Sequence, residues 1–81
     1  MTVQRTNKFN GSYFAAPPRI RHALDKQIDF LAVNLRHPSL QAKKFDVAGD
    51  IWQARITRNW RFYFIIRGDA YILLEMIPHP K

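Results

Sequence analysis

The chain has 81 residues, so we expect one small domain spanning 1–81. Its 47% hydrophobic and 23% charged residues are typical of a globular protein and argue against disorder or a fibrous repeat. Thirteen Lys and Arg against six Asp and Glu give a formal net charge of +7, spread over both halves of the chain. A basic folded surface attracts polyanions, of which nucleic acid is the commonest. The other interpretation of the charge is solubility alone.

Several classes of site are excluded by what the sequence lacks. There is no Cys, so there is no disulfide framework, Cys-based zinc site or thiol nucleophile, and three His alone do not predict a metal site. The longest apolar run, around Phe62 to Ile66, is far shorter than the roughly 18 residues of a membrane span, and no signal peptide is recognisable at the N-terminus. We therefore expect a cytoplasmic protein with no membrane partner.

The first half of the chain predicts one weak strand and one clear helix. Thr2 to Phe9 is polar with weak alternation, which favours an edge strand, and Asn10-Gly11-Ser12 favours a turn or helix cap. Pro17-Pro18 is typical of a helix start, and Pro38 should end that helix near Arg36 or His37. Apolar residues spaced by three and four form one face of the helix: Ile20, Ala23, Leu24, Ile28, Leu31 and Leu35.

The second half predicts strands, because β-branched and aromatic residues dominate it. The strands are expected at Ile51 to Thr57, Trp60 to Arg67 and Ala70 to Ile77, with a shorter one around Lys44 to Val47. A helical part followed by consecutive strands predicts an α+β fold, in which an N-terminal helical layer packs on a twisted antiparallel sheet.

The first hairpin decides which charged residues share a face of the sheet. A three-residue loop, Thr57-Arg58-Asn59 with Asn in the left-handed region, predicts these pairs: Ile56 with Trp60, Arg55 with Arg61, Ala54 with Phe62, Gln53 with Tyr63 and Trp52 with Phe64. Both Trp then lie on the apolar face, and Gln53, Arg55, Arg61 and Tyr63 share the other. A second odd loop at Gly68 to Ala70 predicts Ile72, Leu74 and Met76 in the core and Glu75 beside Tyr63.

The pair of opposed arginines is the strongest functional signal from the residues alone. Like charges directly opposite each other destabilise a sheet, and such violations often mark function. Two guanidiniums beside an amide and a phenol fit a phosphodiester, whose oxygens match the guanidinium fork. The alternative is that Glu75 neutralises Arg55 and Arg61 and that the face is only solvated.

The sequence around these arginines resembles the RelE/ParE superfamily of bacterial toxins from toxin–antitoxin systems. The resemblance rests on the run from Asp50 to Phe64, with Trp52-Gln53-Ala54-Arg55-Ile56 and the aromatic-Arg pair Trp60-Arg61. His37-Pro38-Ser39-Leu40 and Lys43-Lys44-Phe45 precede that run, and the similarity extends from about Pro17 to His79. It implies a microbial RNase-type fold and an inhibitory antitoxin partner.

The resemblance also implies an activity and roles for individual residues. RelE-like members cleave mRNA in the ribosomal A site, without metal or cofactor, by attack of the 2′-hydroxyl. Arg55 and Arg61 correspond to the basic residues that hold the scissile phosphate, and His79 to the C-terminal His of the closing motif, an acid or base. Contacts with RNA or the ribosome are implied for Lys43, Lys44, Gln53, Arg58 and Tyr63, where Gln53 occupies a position that is Lys in some members.

One part of the family pattern is missing. Many RelE-like members carry a Tyr or acidic residue after the final His or Arg, whereas here Pro80 and Lys81 follow His79. The acid–base partner is thus left open between Tyr63, Glu75 and a ribosomal group. ParE-like members share the fold but poison DNA gyrase without cleaving nucleic acid, so a gyrase inhibitor and a weak or inactive RNA-binding homologue remain as alternatives. Ribosome, mRNA and antitoxin are the expected partners, with no small-molecule substrate.

Overall fold

A computed structural model describes residues 1–79 and shows two helices, one short 3₁₀ helix and five strands. The elements in chain order are β1 Thr2–Arg5, α1 Asn7–Ala15, α2 Pro18–Val33, the 3₁₀ helix Pro38–Leu40, β2 Lys43–Asp46, β3 Ile51–Thr57, β4 Trp60–Arg67 and β5 Ala70–Pro78. The predicted α+β class is confirmed. Within 1–79, neither helix combines the length and apolar character needed to cross a membrane.

The five strands form one sheet in the order β1-β5-β4-β3-β2. The pairs β2–β3, β3–β4 and β4–β5 are antiparallel, and the pair β1–β5 is parallel. The sheet is therefore mixed rather than wholly antiparallel as expected. A parallel pair requires a long connection, and here the connection is nearly the whole chain. The weak N-terminal strand signal gave no indication of which neighbour it would join.

The segment after β1 differs from the prediction, because a helix begins where we expected the strand to continue. Thr6 is the N-cap of α1, and its hydroxyl accepts a hydrogen bond from the Phe9 backbone N–H at 3.1 Å. Such a cap satisfies a donor that would otherwise be unpaired in the first turn. The strand ends at Arg5, and the Asn10-Gly11-Ser12 segment lies inside the helix rather than in a turn.

Helix α2 begins at Pro18, as predicted, and ends at Val33, earlier than the Arg36 or His37 that we expected. At its C-terminus the Asn34 N–H donates to the Phe30 carbonyl at 2.8 Å while Asn34 itself is extended. The predicted apolar face is confirmed: Ile20, Leu24 and Leu31 are buried, and Ala23, Ile28 and Leu35 pack against the core.

The core lies between the helices and one face of the sheet. Its largest fully buried side chains come from both layers: Phe9, Phe62, Phe64, Ile20, Leu24, Leu31, Leu40, Leu73 and Met76. Trp52 and Trp60 are partly buried and pack against this cluster, which confirms that both Trp belong to the core face. The helices thus cover one face of β3 and β4 and leave the other face for the polar residues.

The β3–β4 hairpin has the predicted register but a different turn. Four of the five predicted pairs are present, including Arg55 with Arg61 and Gln53 with Tyr63. The fifth is wrong, because Trp60 pairs with Thr57 and Ile56 is the extra residue of a β-bulge. The bulge absorbs one residue, so a two-residue turn at Arg58-Asn59 is compatible with the same register. Asn59 is accordingly not among the described residues with a left-handed backbone.

A second bulge changes the face assignment along β5. Gly68, with φ of +60°, and Asp69 form a tight turn, so Tyr71 and Leu73 are buried rather than Ile72 and Leu74. A bulge at Leu74 then restores the predicted register, with Met76 in the core and Glu75 beside Tyr63. The Thr6 hydroxyl lies within hydrogen-bond distance of the Leu73 and Leu74 carbonyls at this bulge, at 3.0 and 3.2 Å, and the Thr6 backbone N–H also donates to the Leu73 carbonyl at 3.1 Å.

Candidate functional site

The uncovered face of the sheet carries two cross-strand rows of side chains. One row runs across four strands: Lys43, Gln53, Tyr63 and Glu75. The next row holds Arg55, Arg61 and Ile77. Directly opposed residues have Cβ atoms about 5 Å apart, so the two guanidinium groups belong to one small site.

A pocket of about 190 Å³ lies over these rows, lined by Gln41, Lys43, Gln53, Arg55, Arg61 and His79. All three residues predicted to be catalytic line it, together with Lys43 and Gln53 from the predicted RNA-binding set. Every described lining side chain is cationic, amide or imidazole, and none is a carboxylate. A pocket of this size and charge suits a phosphate group with part of its sugar.

Arg55 is held by its backbone and not by its side chain. The bulge at Ile56 removes its carbonyl from the regular ladder, and the buried Gln27 of α2 donates to that carbonyl at 2.7 Å. Gln27 also donates to the Ser39 carbonyl at 3.0 Å and accepts from the Ser39 hydroxyl at 2.9 Å. The Arg55 guanidinium has no hydrogen bond or ion pair to any residue in 1–79. Its donors are therefore available to a ligand.

Arg61 is bound to the protein at one end of its guanidinium. Its Nη1 donates to the carbonyls of Thr57 at 2.7 Å, Trp60 at 2.9 Å and Arg58 at 3.2 Å. These bonds tie the guanidinium to the carbonyls of the β3–β4 turn. A guanidinium has five donors, so the remaining N–H groups keep their capacity to bind an anion. Arg61 is thus part of the hairpin as well as of the pocket.

His79 reaches the pocket because the end of β5 is attached to the same turn. Pro78 pairs with Trp60, and the His79 backbone N–H donates to the Asn59 carbonyl at 2.6 Å. The side chain is exposed and lines the pocket. The predicted lack of an acid–base residue after His79 concerns Pro80 and Lys81, which lie outside the described residues.

Tyr63 and Glu75 do not line the pocket, and both side chains are engaged with other residues of the protein. Tyr63 is only 8% exposed, and its hydroxyl donates to Gln53 Oε1 at 3.3 Å. Burial raises the pKa of Tyr63 above 10, and the Glu75 carboxylate raises it further, against a lowering effect of Arg61. Glu75 is paired with Lys8 of α1 at 3.2 Å. Among residues 1–79, Glu75 thus makes no ion pair with Arg55 or Arg61, which the alternative of direct neutralisation requires.

Besides Tyr63, two predicted RNA-binding residues do not line the pocket. Lys44 lies on the opposite side of β2 from Lys43, ion-pairs with Asp50 and sits 5.2 Å from the centre of the Trp52 ring. Arg58 is exposed in the β3–β4 turn, where its carbonyl accepts from Arg61. Adjacent residues of a strand point to opposite faces, which explains why only one of the two lysines joins the site.

Two residues near the pocket were not predicted. Gln41 has a left-handed backbone with φ of 46° at the end of the 3₁₀ helix, and it lines the pocket. Phe45 is 59% exposed, and the centre of its ring is 4.8 Å from that of Tyr63. The sequence signal for Phe45 was its position two residues after Lys43 on a short strand. Gln41 gave no such signal, because its position depends on how the 3₁₀ helix ends.

Comparison with known proteins identifies the fold. No family model matches the chain, and no curated protein matches its sequence. A YoeB/ParE toxin from Agrobacterium tumefaciens is similar in structure, with a TM-score of 0.81, 15% identity and coverage of 99% of this chain and 100% of that one.

Toxins solved with their antitoxins have the same fold. RelE of the RelE–RelB complex from Pyrococcus horikoshii gives a TM-score of 0.81 at 14% identity, over 99% of this chain and 96% of that one. A chain of the YoeB–YefM toxin–antitoxin complex from Staphylococcus aureus gives 0.78 at 9% identity, over 99% and 98%. The predicted resemblance to the RelE/ParE superfamily is thus confirmed at the level of fold.

Proposed function

We propose that this chain is the toxin of a toxin–antitoxin pair and that it cleaves mRNA on the ribosome. The observation that carries the proposal is the convergence of Arg55, Arg61 and Lys43 with the imidazole of His79 on one pocket. The fold, shared with RelE and YoeB toxins, supports the same conclusion but does not choose among activities. The cationic chemistry of the pocket, with an imidazole at its rim, is what favours RNA cleavage in this proposal.

The reaction that fits this pocket is internal transfer at a phosphodiester. The ribose 2′-oxygen attacks phosphorus, the bond from phosphorus to the 5′-oxygen breaks, and a 2′,3′-cyclic phosphate and a 5′-hydroxyl result. Negative charge grows on the phosphoryl oxygens as the attack proceeds. Arg55, whose guanidinium has no described partner, and the free donors of Arg61 stabilise that charge more in the transition state than in the substrate.

Two proton transfers accompany this reaction, and the pocket supplies a group for one of them. His79 accepts the proton of the 2′-hydroxyl or delivers one to the 5′-oxygen. Tyr63 is buried against Gln53 and Glu75 is paired with Lys8, so neither is placed for the second transfer. We propose that the ribosome or its bound mRNA supplies the second group, which gives a physical reason for activity only on translating ribosomes.

The same surface explains the proposed antitoxin. The chain carries a net charge of +7, and the pocket adds uncompensated cations at one place. An acidic segment bound across the pocket would gain from this charge and would compete directly with RNA phosphate. We propose that a small acidic antitoxin covers the pocket in the cytoplasm and holds the toxin inactive.

The test is to induce the chain in a bacterium that lacks the antitoxin and to map new mRNA 5′ ends. We expect cuts in frame with codons, reduced at least about tenfold in Arg55→Ala, because losing one charge-assisted contact to the transition state costs about this much or more. Arg19→Ala is the matched control, since Arg19 is exposed on α2 and does not line the pocket.

Other outcomes identify the alternatives. Growth arrest with intact mRNA and accumulating DNA breaks would reject the nuclease in favour of a gyrase inhibitor. No arrest, with folded protein present, would indicate an inactive homologue that only binds RNA. Equal cutting by wild type and Arg55→Ala would contradict the role given to the pocket.

A further inference from the structure

An exposed aromatic side chain stands next to the cationic pocket and has no role in the proposed reaction. Phe45 is 59% exposed, on the edge strand β2, and it is the extra residue of a bulge between Lys44 and Asp46. Bulges commonly redirect a side chain next to a functional site. A single exposed Phe is ordinary on protein surfaces, so its surroundings must carry the argument.

The ring of Phe45 is held in place by a second ring. Tyr63 meets it edge to face, with centroids 4.8 Å apart and planes at 62°. Tyr63 is buried and hydrogen-bonded to Gln53, which lines the pocket. Phe45 therefore rests on a fixed support while much of its own surface stays open to solvent, and it lies two residues from Lys43 on the same strand.

We infer that Phe45 is a stacking platform for one nucleobase of the RNA whose phosphate occupies the pocket. This inference rests on the proposed function for its choice of RNA, but it requires binding only and no cleavage. Single-stranded nucleic acid is recognised where a cationic groove adjoins an aromatic face, because every base has a π surface. Lys43, Arg55 and Arg61 supply the charge, and Phe45 supplies the open ring.

The inference changes the role predicted for Tyr63. With 8% of its surface exposed, Tyr63 cannot offer a base an open face, whereas Phe45 can. Tyr63 then acts as a positioning residue that fixes Phe45 and Gln53. The other strongly exposed Phe, Phe14 on α1, is 73% exposed and lies against Tyr13, away from the pocket. It provides a matched control with the same side chain.

The experiment measures binding of short single-stranded RNAs with 2′-O-methyl riboses, which cannot be cleaved by 2′-oxygen attack. One RNA is intact, and the others each carry one stable abasic unit at successive positions. For the wild type at low salt, we expect one abasic position to weaken binding by about tenfold, within the range measured for base–aromatic stacking. We call the dissociation constant of that abasic RNA divided by that of the intact RNA the abasic ratio. In Phe45→Leu the abasic ratio should fall to near one, and in Phe14→Leu it should match the wild type.

Leu keeps an apolar side chain without a π face, so Phe45→Leu separates stacking from simple hydrophobic contact. Phe45→Tyr should restore the ratio. The inference is overturned if no abasic position weakens wild-type binding, if the ratio is the same in Phe45→Leu, or if intact RNA does not bind at low salt. Circular dichroism checks that each variant is folded, which is expected because both Phe side chains are exposed.

Failure of this inference and failure of the proposed function give different results. If the abasic ratio is about ten in the wild type and near one in Phe45→Leu, but no mRNA cuts are found in cells, the stacking site is supported and the nuclease is rejected. In-frame cuts with an unchanged ratio in Phe45→Leu would keep the nuclease and reject the stacking site.

Discussion

The two faces of β3 and β4 are made by the same strands but have opposite chemistry. Towards the helices, Ala54, Phe62 and Phe64 are almost fully buried, with aromatic rings packed on one another. Towards solvent, Arg55 and Arg61 face each other across the hairpin. Alternation lets one short segment encode a core and a site independently. Substitutions on one face should therefore change stability, and substitutions on the other should change activity.

The largest expected effect is on the covered face. Phe62→Ala removes a ring that is fully buried, and such substitutions typically cost about 3–5 kcal/mol. A domain of this size buries a smaller fraction of its surface than a larger domain and has little stability to spare, so we expect the variant to be mostly unfolded. Urea denaturation followed by circular dichroism measures this. A cooperative transition at the wild-type midpoint would contradict the described packing.

The open face should behave in the opposite way. Arg55→Ala removes a guanidinium with no described partner, so we expect the free energy of unfolding to change by less than about 0.5 kcal/mol, as for ordinary surface substitutions, or to rise as repulsion with Arg61 is relieved. RNA cleavage should fall strongly in the same variant. A clear loss of stability in the same denaturation experiment would show that the separation of the two faces is incomplete.

Gln27 is the place where the two faces are connected. It is 5% exposed, and Gln27→Ala leaves the Arg55 carbonyl and Ser39 without their partner, at a cost of about 1–3 kcal/mol. We expect lower stability and, because Arg55 loses its backbone anchor, lower cleavage activity as well. Gln4→Ala is the matched control, since Gln4 is exposed on β1, and it should change neither.

Arg61 should show both effects, unlike Arg55. Its Nη1 caps the turn at three carbonyls, so Arg61→Ala should cost about 1–2 kcal/mol in addition to lost activity. Arg61→Lys should recover part of the stability, because an ammonium group can reach a carbonyl but lacks the planar fork. Thermal unfolding of both variants compares them. Equal stability of Arg61→Ala and wild type would mean that the cap is unimportant.

The smallest effect concerns pH. Since the pKa of Tyr63 is raised in the folded state, its contribution to stability is complete below the unfolded value near 10 and is lost as pH rises through the folded value. Phenolate absorbance should show one tyrosine titrating above the others. In Glu75→Gln its pKa should fall, because a negative neighbour is removed, and in Tyr63→Phe the late titration should vanish. Persistence of that step in Tyr63→Phe would show that Tyr63 is not its source.

Much of the fold followed from local patterns, and the differences have a common physical cause. The α2 face, the β3 and β4 boundaries and the Arg55–Arg61 pair were predictable from spacing. The errors at Ile56 and Leu74 arise from bulges, which shift the pairing by one residue and depend on tertiary partners such as Gln27 and Thr6. The start of α1 depended on a cap at Thr6 that sequence alone did not distinguish from strand.

The candidate site was predictable where residues share a strand face. Arg55, Arg61 and Gln53 follow from alternation, whereas Lys43 was implied by the family resemblance, and all four line the pocket. The separation of Lys44, the burial of Tyr63 and the ion pair of Glu75 with Lys8 depend on how β2 and α1 pack, which no local pattern contains. The roles of these residues in RNA contact stay predictions.

The bulge at Phe45 also bears on self-association of the protein through the edge of its sheet. Strand β2 is one border of the sheet, and a bare border strand offers a template on which another chain could add a strand and start aggregation. Here the strand is four residues long, is interrupted at Phe45 and begins with two lysines. These are features with which natural sheets resist such growth. A chain that displays an aromatic ring at this border can therefore still resist strand-to-strand association.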